Sequence, residues 1–434
     1  MKIAILGLWH LGCVYAAGSA SVGHKVSGHD LHGDIIKNLQ QGKAPLFEPG
    51  LDDVIKQNLN NGSLEFTENL HDSVNNAELV WITYDTPVDD QDRADCDFVI
   101  ERVCEAIPHI QKNTCVLVSS QLPVGSIRKL EKAAQTLGRP DIAFACSPEN
   151  LRLGNALEIF LNPDRVICGL RAGSPCRQIL ERLWAPITDN VIWMGVESAE
   201  MSKHAINAFL ATSVAFANEI ATICELTGAD AKEVEQGLKT ESRIGNKAYV
   251  GPGLAFAGGT LARDIRFLSD IAKEKSSSIL FSAVWNSNNR HKNWVVDKLK
   301  SLFATQNLLG KKIALWGLAY KPGTSTLRRS SALEYAKALS EAGAELQAFD
   351  PAVKSIPASS MVQVQLCSTA LDAAKGADAL VLCTPWPDFL KISPLELLSV
   401  MRGNMVIDPA RFLATLLYTP QFQYVAIGLG MEEK

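Results

Sequence analysis

Thr260 and Asp264 follow a run of small residues, Ala257, Gly258 and Gly259, that lets a backbone approach a ligand closely. If a helix starts here, the spacing puts a hydroxyl and a carboxylate on one face. A hydroxyl is a weak nucleophile unless a base stands beside it. Thr260 could equally serve as the N-cap of that helix, with Gly259 easing entry. Lys203 and Asn207 are also one turn apart, so an ammonium and an amide share a helix face, either a ligand contact or an exposed surface. A third pattern lies at the N-terminus. Gly7 and Gly12 fit the turn of a dinucleotide-binding loop, Gly7-Leu8-Trp9-His10-Leu11-Gly12, and Asp30 fits the ribose contact that ends the next strand. Trp9 stands where the middle glycine normally lets the backbone reach a pyrophosphate. Either the indole turns away and the loop shifts, or the dinucleotide binds weakly or not at all.

The elements that must position these groups follow from hydrophobic pattern. Residues 2–7 form an apolar strand, 12–23 a small-residue helix and 26–29 a second strand, which is a βαβ opening. Strands at 79–83, 116–119, 142–145 and 165–168, with helical patterns between most of them, predict a parallel, doubly wound sheet. Residues 197–227 contain neither Gly nor Pro and are followed by Gly228, which predicts one long helix suited to a spine or a subunit contact. More helix is expected at 231–238, 261–273 and, as one run, 278–304. A second α/β unit begins at Lys311, with strands at 312–317, 345–349, 379–383 and 405–407 and a helix at 331–342. Its opening echoes the N-terminus, and each opening leads to an Asp, Asp30 or Asp350, at the end of its next strand. The fold class is therefore α/β: two Rossmann-like, doubly wound parallel-sheet domains (1–196 and 306–434) joined by a long central helix and a helical middle domain (197–305).

Composition narrows the class. The chain has 434 residues, 47% hydrophobic and 21% charged, with a net charge of -5, so it is globular and shows no general attraction to nucleic acid or anionic membrane. No apolar run reaches the length of a membrane span, and the N-terminus is a short strand rather than a signal peptide. The 10 cysteines are scattered without a Cys-x-x-Cys pair, which predicts buried free thiols, no metal site and a reducing cytoplasm.

An ordered series of motifs runs along nearly the whole chain. It comprises Glu48-Pro49-Gly50-Leu51, Thr86-Pro87, Ser120-Gln121-Leu122-Pro123-Val124-Gly125, Ser147-Pro148-Glu149-Asn150-Leu151-Arg152 and Pro163-Asp164-Arg165. Lys203-x-x-x-Asn207, Arg243-Ile244-Gly245, residues 253–264, Tyr320-Lys321-Pro322, Arg328-x-Ser330, Phe349-Asp350-Pro351 and Thr384-x-Trp386 complete it. The series resembles the UDP-glucose/GDP-mannose dehydrogenase family. That resemblance implies NAD as cofactor and a UDP- or GDP-hexose as substrate. The implied reaction takes the sugar C6 hydroxyl to a carboxylate in two NAD-dependent steps, through a thioester on a cysteine. It also implies a homodimer through the central helix, with Arg243 reaching the partner's substrate. Carried over by motif, the catalytic positions are Thr260, Lys203, Asn207, Asp264 and Glu149. The cofactor positions are Gly7, Trp9, His10, Leu11, Gly12, Asp30, Thr86, Ser120 and Arg328. The substrate positions are Glu149, Leu151, Arg152, Lys203, Asn207, Arg243, Phe256, Gly258, Lys321 and Arg411.

The departures cluster on the covalent chemistry. Thr260 stands where the family carries its cysteine. Gln121 replaces the threonine that places the hydrolytic water, Leu153 the second Glu of its motif, and Arg263 a Lys. Two functions follow. One is an NAD-dependent nucleotide-sugar oxidoreductase with altered, non-thioester chemistry, either two-electron oxidation that stops at the aldehyde or oxidation of a hydrated aldehyde without a covalent intermediate. The other is a silent nucleotide-sugar binder that has lost turnover.

Overall fold

The computed structural model describes residues 1–87, 94–149, 151–256, 260–273, 279–305, 307–327, 330–357 and 362–430. The chain divides into two units, Met1–Ile206 and Asn207–Lys434, and the division falls inside the long helix.

The first unit is built on an eight-stranded sheet in the order β3-β2-β1-β4-β5-β6-β7-β8. Its strands are β1 (Lys2–Leu6), β2 (Lys25–His29), β3 (Leu64–Thr67), β4 (Leu79–Ile82), β5 (Cys115–Val118), β6 (Ala143–Cys146), β7 (Val166–Leu170) and β8 (Val191–Gly195). Between them run α1 (His10–Ser21), α2 (Gly33–Gln40), α3 (Leu51–Asn60), α4 (Leu70–Val74), α5 (Cys96–Ala106), α6 (Ser126–Thr136), α7 (Ala156–Leu161) and α8 (Cys176–Trp184). β4 and β5 are buried along their whole length, as strands covered on both faces must be. All ladders are parallel except β6–β7, which meet antiparallel at Cys146 and Gly169. The parallel, doubly wound sheet expected from sequence is present, with this one antiparallel pairing added. Here the chain returns through the short α7, which packs on α1 where Gly18 leaves room for the Phe160 ring. Tyr15, Trp81, Phe160 and Trp184 form an aromatic cluster beneath, with Tyr15 and Trp81 centroids 4.3 Å apart.

α9 (Val196–Thr227) runs across the division between the units. It is long and apolar enough to cross a membrane by length and composition, which corrects the expectation that no such stretch exists. Yet Glu200, His204, Asn207 and Asn218 are buried along it, as suits a helix packed in protein.

In the second unit α10 (Ala231–Thr240), α11 (Leu261–Lys273), α12 (Ile279–His291) and α13 (Trp294–Leu302) follow α9. The single helical run expected at 278–304 is thus two helices, because the chain turns at Lys292–Asn293 before Asn293 leads into α13. A six-stranded parallel sheet then forms in the order β11-β10-β9-β12-β13-β14. It comprises β9 (Lys312–Trp316), β10 (Glu345–Phe349), β11 (Gln365–Leu366), β12 (Ala379–Leu382), β13 (Met405–Ile407) and β14 (Gln423–Val425). α14 (Ser331–Glu341) opens on Ser330, whose hydroxyl caps it, and α15 (Ala370–Ala374), α16 (Pro394–Val400) and α17 (Ala414–Leu417) complete the unit. The two sheets repeat one construction, with β1 and β9 central and a glycine of positive φ after each, Gly7 at 98° and Gly317 at 86°.

Candidate active site

The dinucleotide end is fixed by backbone geometry. Gly7 has a left-handed φ, and a Cβ there would lie 2.6 Å from the Tyr84 amide nitrogen. A Cβ on Gly12 would lie 1.8 Å from the Gly7 carbonyl oxygen. Both positions therefore require glycine. Trp9 does not: it is extended, at φ -86°, precedes α1 and leaves its ring 39% exposed. No side chain caps the N-terminus of α1. Leu11 is packed in the core, while His10 Nε2 donates to Glu48 Oε2 at 2.8 Å. Asp30, buried at the end of β2, accepts the Leu8 amide at 2.7 Å. Thr86 Oγ1 donates to the Gln121 carbonyl at 2.7 Å, tying together the loops after β4 and β5.

Glu48 is the joint that sequence reasoning passed over. Besides His10, its carboxylate accepts the amides of Gly154 and Ala156, each at 2.8 Å. Burial pushes its pKa up, but these three hydrogen bonds more than offset that and hold it below the ordinary range. One side chain thus clamps the start of α1 to the loop that carries Leu151 and Arg152.

Lys203, on α9, pairs with Glu149 at 2.9 Å, and both are largely buried. Glu149 Oε2 also accepts the Leu151 amide at 2.9 Å. The pair lines a cavity of about 170 Å³ with Ser147, Leu151, Arg152 and Arg165. Beside it, a space of about 20 Å³ touches Ser120, Gln121, Cys146, Glu149, Glu200 and Lys203, enough for one water. Among the described residues, the buried Ser120 hydroxyl has no hydrogen-bond partner. α9 holds this wall in place: Glu200 accepts the amides of Gly125 and Ile127 at 2.6 and 2.9 Å, and His204 Nε2 donates to the Leu122 carbonyl at 3.0 Å. Glu200, Lys203, His204 and Asn207 recur at helical spacing in an otherwise apolar stretch, a signal that could have marked Glu200 and His204 from sequence.

In the second unit, Asn207 Nδ2 donates to Asp264 Oδ2 in a short hydrogen bond, and Asp264 is fully buried. Thr260 is exposed, and its carbonyl accepts the Asp264 amide at 3.2 Å, which makes it the N-cap position of α11. The Phe256 ring is buried in a helical core with Ala211, Ile265 and Val284, and Asn288 clasps its backbone from both sides at 2.9 Å. Its observed role is packing. Arg243 is 86% exposed and pairs with Glu241 at 2.8 Å. Lys321 is half-buried in the turn after β9. Arg411 is held within the second unit: Nη1 donates to both oxygens of Asp230, at 2.6 and 2.7 Å, and Nη2 to the Ile427 carbonyl. Gly258 and Arg328 lie outside the described residues.

Three segments match the domains of one family. Residues 1–188 match its NAD binding domain, 197–290 its central domain and 314–415 its UDP binding domain. The chain belongs to the UDP-glucose/GDP-mannose dehydrogenase family. A UDP-glucose 6-dehydrogenase of Pseudomonas aeruginosa is 33% identical over 99% of this chain and 97% of its own. The UDP-glucose 6-dehydrogenase TuaD of Bacillus subtilis is 31% identical over 94% of this chain and 88% of its own. Among solved structures, a UDP-glucose dehydrogenase from Pyrobaculum islandicum shares 26% identity with a TM-score of 0.85, covering 99% of this chain and 98% of its own. A UDP-D-ManNAc dehydrogenase from Pyrococcus horikoshii shares the fold, with a TM-score of 0.86 at 23% identity, covering 99% and 100% of the two chains.

As a family member this chain is an NAD-dependent nucleotide-sugar dehydrogenase, and its first unit fits that cofactor. Gly7 and Gly12 keep the tight turn, the start of α1 carries no side-chain cap that would compete with a phosphate, and Asp30 ends β2. Trp9 does not need glycine's conformational freedom, so the turn survives the substitution.

Proposed function

We propose that this chain oxidises the C6 hydroxyl of a UDP-sugar to the aldehyde and stops there, without a thioester. The supporting observation is a contrast. The Lys203–Glu149 and Asn207–Asp264 pairs are complete, while the position of the family's nucleophile holds Thr260 on an exposed N-cap. The three cysteines of the second unit offer no substitute: burial pushes the thiols of Cys224 and Cys367 up, and that of Cys383 up to about 12. Bound NAD supplies the hydride acceptor. The sugar loses a hydride from C6 and a proton from O6, one NAD is reduced and one proton is released. The O6 proton passes to water, Lys203, its ammonium held by Glu149, steadies the developing charge on O6, and Asn207, one turn further along α9 and held by Asp264, helps orient the sugar. The intact pairs speak against a silent binder. UDP rather than GDP follows from the UDP binding domain over residues 314–415. The test is purified protein with NAD and a panel of UDP- and GDP-hexoses. NADH is expected from a UDP-hexose, and its absence with every sugar would sink the proposal.

The assembly belongs to the same reading. Phe209, Phe216 and Ile223 recur every seven residues along α9 and are 72%, 47% and 54% exposed. An apolar stripe of that period suits the same helix of a second copy. Sedimentation is expected to show a dimer, and Phe216→Asp to shift it toward monomer; an unchanged wild-type monomer would contradict this.

A further inference from the structure

The adenosine end of the dinucleotide site carries a histidine that the backbone construction does not require. Asp30 Oδ2 accepts the Leu8 amide, and Oδ1 accepts both the His32 amide at 3.0 Å and the His32 ring Nδ1–H at 2.8 Å. The second unit shows what the tie needs by itself. There Asp350 Oδ2 accepts the Leu318 and Ala319 amides at 2.6 and 2.9 Å and the Trp386 indole at 3.1 Å. Its Oδ1 accepts only backbone amides, those of Ala352 and Val353 at 2.8 and 3.0 Å. On Asp30 the corresponding oxygen holds a titratable ring instead. The His32 side chain is 71% exposed against 9% for Asp30. With Nδ1–H committed to the carboxylate, Nε2 is left for a ligand, as an acceptor when the ring is neutral and a donor when it is protonated.

We propose that His32 sets how sharply this site separates a 2′-hydroxyl from a 2′-phosphate on the adenosine ribose, admitting a 2′-phosphorylated dinucleotide when its ring is protonated. The inference rests on residues 1–188 being a dinucleotide-binding domain. A carboxylate at the end of the second strand binds the ribose hydroxyl and repels a phosphate, whereas a cation there accommodates it. The ring itself meets Asp30, and two more carboxylates belong to the same turn: Asp34 in the first turn of α2, and Glu68, whose Oε1 would lie 2.8 Å from a Cβ on the neighbouring Gly33. The other ring here, His29, is held by the Thr67 carbonyl, and burial pushes its pKa down, so it adds no positive charge at neutral pH. A neutral His32 leaves a phosphate dianion facing carboxylates, and a charged one offsets Asp30 at contact distance.

The test is calorimetric titration of the full chain with NAD and with NADP at pH 6 and pH 8, on the wild type, His32→Gln and His32→Arg. Because the 2′-phosphate itself takes up a proton near pH ~6, the quantity read is the wild-type response relative to the glutamine variant. The wild-type NADP-to-NAD ratio of Kd values is expected to fall about tenfold further on acidification than that of His32→Gln, the worth of one charge-assisted hydrogen bond. His32→Arg, permanently charged, is expected to admit NADP at both pH values. Equal pH responses in the wild type and His32→Gln, or rejection of NADP by His32→Arg, would overturn the proposal. Failure of the wild type to bind NAD at either pH would overturn the dinucleotide reading as well, and is visible separately from the ratio.

Discussion

At the scale of single residues, the proposed reaction turns on Thr260, a hydroxyl where the resemblance implies a thiol. Thr260→Cys restores a thiol but not the groups the resemblance implies for placing water: Gln121 has an amide where the family carries a hydroxyl, and Leu153 has an aliphatic side chain where it carries a carboxylate. Product analysis of this mutant is therefore expected to show aldehyde rather than acid, and robust carboxylate formation would refute the point. Glu48 makes a second prediction. Glu48→Ala leaves the Gly154 and Ala156 amides unpaired, which costs about 1–3 kcal/mol for each group left buried, and it frees His10 from the loop it holds. Denaturant unfolding should show the loss, together with weaker NAD binding. The role of Glu48 was not legible in the sequence, because its donors come from as far as 108 residues away and no local pattern announces them. The pairing of Arg411 was hidden for the same reason: its motif gives no sign of Asp230, 181 residues earlier.

At the scale of elements, α9 is both the most legible feature and the one that organises the site. Its freedom from Gly and Pro announced the helix, and its four polar positions at helical spacing carry the candidate chemistry and the support of the loop after β5. His204→Ala removes the donor to the Leu122 carbonyl without touching the Lys203–Glu149 pair. Lower kcat with nearly unchanged KM is expected, since the loop that shapes the reacting end loosens while the sugar contacts remain. A rise in KM alone would contradict that. The strands missed from sequence, β3, β8, β11 and β14, are the edges of the two sheets. Buried parallel strands show continuous apolar runs, whereas short edge strands do not and pass for loops.

At the scale of the whole molecule, the chain keeps the family's architecture. Its response to acid follows from buried rings and paired carboxylates. Burial lowers the pKa of His24, His29 and His291, so the folded chain keeps them neutral while the unfolded chain protonates them below about 6.5. Stability should fall as pH drops through that value. Glu197 is held down to about 2 by Arg171 and Arg128. Its contribution is present above the ordinary Glu pKa of about 4.3 and is lost as pH falls from there toward its folded value. Denaturation midpoints measured from pH 8 to pH 3 should therefore decline in two windows, and a flat profile between pH 7 and pH 5 would contradict the first. Oxidation of a UDP-sugar without a thioester is tested by the count of NADH formed per UDP-sugar consumed, with the product identified by mass. One NADH and a 6-aldehyde are expected; two NADH and a carboxylate would contradict the proposed reaction.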